Sequence, residues 1–126
     1  MSDLSAADRI WNRACELIGR PGPEEGDTAL SALLRAHNET MNNGLLHCVE
    51  VLSTKELAAA IDGYRYFGFN AVVDLIEKAR EVSPDEAAQM EAKFDRDYWD
   101  LASDQQLLAQ FKERFRTAPD QFGSPG

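Results

Sequence analysis

Basic side chains are scarce in this chain. It carries 13 Lys and Arg against 22 Asp and Glu, for a net charge of −9. A surface so short of cations has little with which to displace the counterions of a phosphate backbone, which argues against direct binding of nucleic acid. Long apolar runs are also missing: no stretch approaches the ~20 residues of a membrane span. The start, Met1-Ser2-Asp3-Leu4, has neither the basic head nor the apolar run of a secretory signal. These absences predict a cytoplasmic protein without membrane contact. Cysteine is limited to Cys15 and Cys48, too few for a disulfide framework. Both read as reduced residues in or near the core.

Regular alternation of apolar and polar residues is absent, so no strand is predicted, and no repeat of 20–50 residues is visible. What the chain does have is 3.6-residue periodicity throughout. Ser5 with Asp8 opens a first helix over about 6–18, closed by Gly19 and Pro21. Residues 19–26, with three glycines and two prolines, read as a loop. Asp27 is the expected cap of a second helix over about 28–41. Asn42-Asn43-Gly44 breaks that helix, and a short apolar third helix follows over about 45–52. Ser53 and Glu56 have capping-box spacing and open a fourth over about 54–66. Asn70 is the expected cap of a fifth, over about 71–81. Ser83-Pro84-Asp85-Glu86 starts a sixth that runs to about 101. Ser103 and Gln106 start a seventh that runs to about 117. The prediction is an all-α, compact array of about seven short helices in one domain over 1–126, with 123–126 frayed. The aromatics Tyr64, Tyr66, Phe67 and Phe69 lack the basic neighbours of a base-stacking platform and read as packing at a helix corner. Trp99 and Phe122 are spare apolar residues that suit either a homodimer contact or closure of the core.

Candidate chemistry is thin. His37 lies on the apolar stripe of the second helix, and His47 precedes Cys48 in the third. A metal site from His37, Glu39, His47 and Cys48 is conceivable, but no pair has the spacing that preorganises ligands, and packed histidines are the plainer reading. Adjacent helical residues point about 100° apart, so His47 and Cys48 make a poor base and nucleophile. No glycine-rich phosphate loop and no marked carboxylate pair is present. No cofactor is expected, and the chain reads as non-enzymatic.

Charge is distributed unevenly. Residues 81–100 hold Glu81, Asp85, Glu86, Glu91, Asp95, Asp97 and Asp100 against Lys93 and Arg96, a net −5. Residues 21–40 hold Glu24, Glu25, Asp27 and Glu39 against Arg35, a net −3. Two readings fit: a solvated helix whose first acids favour its positive end, or a strip of carboxylates offered to a basic partner.

The run from Glu39 through Asn42-Asn43-Gly44 to His47 resembles the E-x-x-N-N-G-G-F signature of a bacterial domain-of-unknown-function family named for an acidic DNA-mimic protein. Gly68-Phe69-Asn70-Ala71, Leu75-Ile76-Glu77-Lys78-Ala79 and Phe94-Asp95-Arg96-Asp97-Tyr98-Trp99 extend the likeness over about 30–122. Leu45 stands where that family usually has its second glycine, and Cys48 where glutamine is common. Glu39 and the Asn-Asn-Gly turn read as structural, with the carboxylate accepting N–H groups where the third helix begins.

The resemblance implies a helical fold and carboxylates that imitate DNA phosphates on the DNA-binding face of a regulator. The expected function is therefore a non-enzymatic acidic interaction protein. Asp85, Glu86, Glu91, Asp95, Asp97 and Asp100 would bind a basic protein surface such as that of a DNA-binding transcriptional regulator, with the 24–27 segment as a second contact. The rivals are an immunity or antitoxin-like protein that neutralises a toxin, and a small enzyme or metal-binding protein around His47 and Cys48.

Overall fold

The computed structural model describes residues 5–124. The start at Met1–Leu4 and the tail residues Pro125 and Gly126 lie outside these. Among the described residues seven α-helices run in order: α1 (Ala6–Leu17), α2 (Glu25–Asn43), α3 (Leu45–Val51), α4 (Thr54–Tyr66), α5 (Asn70–Arg80), α6 (Pro84–Ala102) and α7 (Asp104–Thr117), followed by a 3-10 turn, Pro119–Gln121. No strand occurs among the described residues. The all-α array read from the sequence is the observed one.

Local chemistry sets the helix starts. Reciprocal capping boxes open α1 (Ser5 with Asp8), α4 (Ser53 with Glu56) and α7 (Ser103 with Gln106). Hydrogen bonds to the Ser53 backbone and hydroxyl, more than the nearby Arg35, hold the Glu56 carboxyl below its ordinary range.

Two starts differ from expectation. α2 begins at Glu25, so residues 25 and 26 are helical, and Asp27 is not the cap. It sits three residues inside, and its carboxylate turns back to accept the Glu24 N–H at 3.3 Å. An acid at either place leaves the same local signature. α5 begins at Asn70 itself, whose side chain makes no capping bond. Phe69 takes the cap position, because Gly68 at φ +85° turns the chain and the Phe69 N–H bonds to Tyr64 O at 2.8 Å. This seats the Phe69 ring edge-on against Tyr64.

The antiparallel pair α2 and α4 forms the centre. Gly63 makes their close approach possible: a Cβ there would meet Ala29 O at 2.4 Å. Around this pair the core collects Ile10, Leu30, Leu33, Leu45, Tyr64, Val72, Ile76, Tyr98 and Phe111, all buried. Tyr64, Phe67 and Phe69 are buried as the corner reading expected, and the Arg114 guanidinium lies over the Tyr66 ring at 4.2 Å. In α6 only Phe94, Tyr98 and Ala102 are buried, so most of this helix faces water.

The tail is better held than expected. Phe122 is buried against Phe111, Phe115 and Tyr66 and closes the core. Instead of fraying, Gly123 donates its N–H to Asp27 Oδ2 at 2.6 Å, and Ser124 O accepts from Arg13 at 2.6 Å. Cys15 is exposed, contrary to the near-core reading, because it lies on the side of α1 away from Ile10 and Ala14. Cys48 is buried as expected.

Candidate partner-binding surface

α6 presents its acids in two ways. Asp85, Glu86, Glu91 and Asp100 are exposed, and none has a Lys or Arg within ion-pair reach among the described residues. Glu86 accepts the Ser83 hydroxyl at 2.9 Å. Asp95 and Asp97 are half-buried and have partners inside the molecule. Asp97 pairs with Lys93 Nζ at 2.7 Å, and Asp95 Oδ1 accepts the Leu45 N–H at 2.9 Å. Lys93–Asp97 is the single ion pair within α6 among the described residues, so five of the six candidate carboxylates have no counter-cation there, four of them exposed.

The fold adds Asp74, which the charge count over 81–100 missed, and brings Glu81 of that count beside the α6 acids. A groove of about 320 Å³ between α5 and α6 is bordered by Glu81, Glu86 and Asp97, with Lys78 and Lys93 on its walls. A second, of about 380 Å³, is bordered by Asp74, Asp97 and Asp100, again with Lys78. Asp74 and Glu81 thus join the α6 acids on one face. No sequence pattern marks Asp74, which belongs to this face only because α5 packs beside α6.

The 24–27 segment divides. Glu24 and Glu25 are exposed, but Asp27 is 1% exposed and bonded to Arg13 at 2.7 Å as well as to the N–H groups of Glu24 and Gly123. Asp27 is a structural clamp and is not available to a partner.

The supposed enzyme or metal residues also separate. Cys48 donates its thiol to Ala36 O at 3.5 Å inside the core, and burial pushes that thiol up, away from the reactive thiolate. His47 is exposed, in contrast to the packed histidine expected, and lies 3.3 Å from Glu39. Glu39 also faces Arg35 at 3.6 Å and the Asn43 amide at 3.2 Å. No group of three or more metal-ligating side chains gathers among the described residues.

His37 is buried as predicted, in an arrangement the sequence did not disclose. Its Nε2 is 2.6 Å from Asp104 Oδ1, its Nδ1 is 2.6 Å from Tyr98 Oη, and Tyr98 Oη is 2.6 Å from Tyr64 Oη. Desolvation lowers the imidazole below its ordinary value, against the opposing pull of Asp104. The neutral ring with hydrogen on Nε2 satisfies every member: Tyr64 donates to Tyr98, Tyr98 to His37, and His37 to Asp104. Burial raises both tyrosine hydroxyls, so they stay protonated.

Residues 23–123 match the family described as DMP19-like protein. The chain belongs to the DMP19-like family. This is the DNA-mimic family that the Asn-Asn-Gly motif suggested, and the match takes in α2 to α7 while α1 lies outside it. Among curated proteins and among solved structures nothing matches the chain. In this DMP19-like chain two of the segments that carried the resemblance, 39–47 and 94–99, meet in space. Gly44 ends α2 at φ +95°, and a Cβ there would come within 3.2 Å of Asp95 Oδ2. The carboxylate that receives the N–H at the start of α3 is therefore that of Asp95, 50 residues away, and not that of Glu39. No helix is long and apolar enough to cross a membrane among the described residues.

Proposed function

We propose that this DMP19-like protein is a non-catalytic DNA mimic that occupies the DNA-binding face of a basic regulator. It presents the carboxylates of α6 and the neighbouring edge of α5 where the regulator otherwise holds phosphates. One observation carries the reading: Asp85, Glu86, Glu91 and Asp100 are exposed and have no ion-pair partner among the described residues. An exposed carboxylate without an internal counter-ion keeps its full charge for a guest and steers a positive surface from a distance. The half-buried Asp95 and Asp97 sit among them, and Asp74 and Glu81 widen the negative face.

The test is retention of a DNA-binding protein on the immobilised chain at about 0.1 M and about 1 M salt, where the screening length falls from about 10 Å to about 3 Å. The retained protein is expected to elute with salt and with competing duplex DNA. It should not bind the doubly reversed variant Asp85→Lys, Glu91→Lys. A partner indifferent to salt, to DNA and to charge reversal overturns the reading.

A further inference from the structure

Three large apolar residues are exposed among those described: Met41, Val51 and Trp99. Two of them, Met41 at 42% and Trp99 at 48%, lie in one groove of about 500 Å³ where the end of α2 meets α6. The same groove is lined by Asn42, Asn43 and Asp95, and no lysine or arginine borders it. Its acceptors are not all used internally. Asp95 Oδ1 holds the Leu45 N–H, while Oδ2 makes no hydrogen bond among the described residues. Asn43 spends its N–H on Glu39, which leaves its carbonyl oxygen to accept, and Asn42 makes no hydrogen bond there.

We propose that this groove is a receptor for an arginine side chain of the basic partner. The inference rests on the acidic-surface reading and deepens it by naming a contact that does not imitate phosphate. Charge complementarity selects the guest: the walls offer one carboxylate, two amide carbonyls and no cation. Chemistry selects arginine over lysine. A guanidinium is planar, stacks on an indole face, and carries five donors in a fixed fork, whereas an ammonium is a strongly hydrated point charge. Met41 and the Trp99 ring supply the apolar floor on which the guanidinium stem lies, as interface anchors commonly do. The acids at the start of α6 would draw the partner in, and the groove would hold it in register.

The test uses deca-arginine and deca-lysine at equal salt. The chain has two tryptophans, so a Trp11→Phe background leaves Trp99 as the sole reporter. Deca-arginine is expected to change Trp99 emission and to bind about five- to tenfold more tightly than deca-lysine. By calorimetry, Trp99→Ala should lose that preference while still binding deca-lysine, and Trp99→Phe should keep part of it. Equal affinities, or emission that does not respond, overturn the proposal. So does a wild-type dimer that Trp99→Ala dissociates in sedimentation, since a second copy would then fill the groove. The two readings fail separately. Salt-sensitive but equal binding of both peptides sinks the groove and spares the acidic surface. An arginine preference that survives Asp85→Lys, Glu91→Lys, with no DNA-binding partner retained, does the reverse.

Discussion

The Leu45 N–H donates to Asp95 Oδ1 at 2.9 Å and so fastens the start of α3 to the middle of α6. A charged acceptor at an otherwise unsatisfied helix N–H is worth more than a neutral one. Asp95→Ala is expected to destabilise the fold by about 1–2 kcal/mol, with Asp95→Asn in between. Urea denaturation measures both. A change within a few tenths of a kcal/mol in the alanine variant would show that the bond holds nothing together.

Arg13 and Asp27 form the second long tie. Asp27 is buried, and Arg13 keeps 28% of its side chain in water. Removing one partner of such a pair strands the other, at a cost on the order of 3 kcal/mol. Asp27→Ala is therefore expected to lower stability by that order. It should also free the segment after Phe122, whose Gly123 N–H loses its acceptor. Faster proteolysis near Phe122 in the variant than in the parent is the readout.

Acid should weaken the fold through His37. Its folded value lies below its ordinary value because burial disfavours the cation. The unfolded chain then binds the proton more readily than the folded one, so stability rises with pH across that interval. The His37 contribution is fully present above the unfolded value of about 6.5 and is lost as pH falls through the folded value. Protonation also turns Nδ1 into a donor, which reverses the Tyr98–Tyr64 chain and leaves the Tyr64 hydrogen without an acceptor in it. Urea midpoints of the wild type and His37→Gln, compared from about pH 5 to about pH 7.5, should converge toward the acid end. A constant difference contradicts this account.

Gly63 is the contact point of α2 and α4. A methyl there would sit 2.4 Å from the Ala29 carbonyl oxygen and 3.2 Å from Leu33 N, both backbone atoms that cannot swing aside. Gly63→Ala gains helix propensity and still is expected to lose about 1–3 kcal/mol through overpacking. Thermal denaturation would detect it.

The sequence disclosed most where the signal is local. Ser53 with Glu56 and Ser103 with Gln106 mark helix starts that the structure places at Thr54 and Asp104. The apolar stripes of α5 and α7 point inward as their spacing requires, with Val72, Val73, Ile76, Leu107 and Phe111 buried. It disclosed least where two distant groups decide the outcome. Asp27 reads as a cap because an acid before an apolar run has one local signature, and only Arg13 and Gly123 distinguish the two roles. Glu39 is nearer than Asp95 to the start of α3 along the chain, yet the fold brings Asp95 to it. The acidity of α6 could be counted directly. The contribution of Asp74 required knowing which helix lies alongside.

The clamp at Asp27 has a consequence for how the chain comes off the ribosome. The carboxylate and the Gly123 N–H it receives are 96 residues apart. At about 5–20 residues per second, roughly 5–20 s separate the emergence of one from that of the other. Through that interval the start of α2 lacks the Phe122 ring that packs against Gly26, and that end of the core stays open. A buried carboxylate made early is thus among the last to meet its partner.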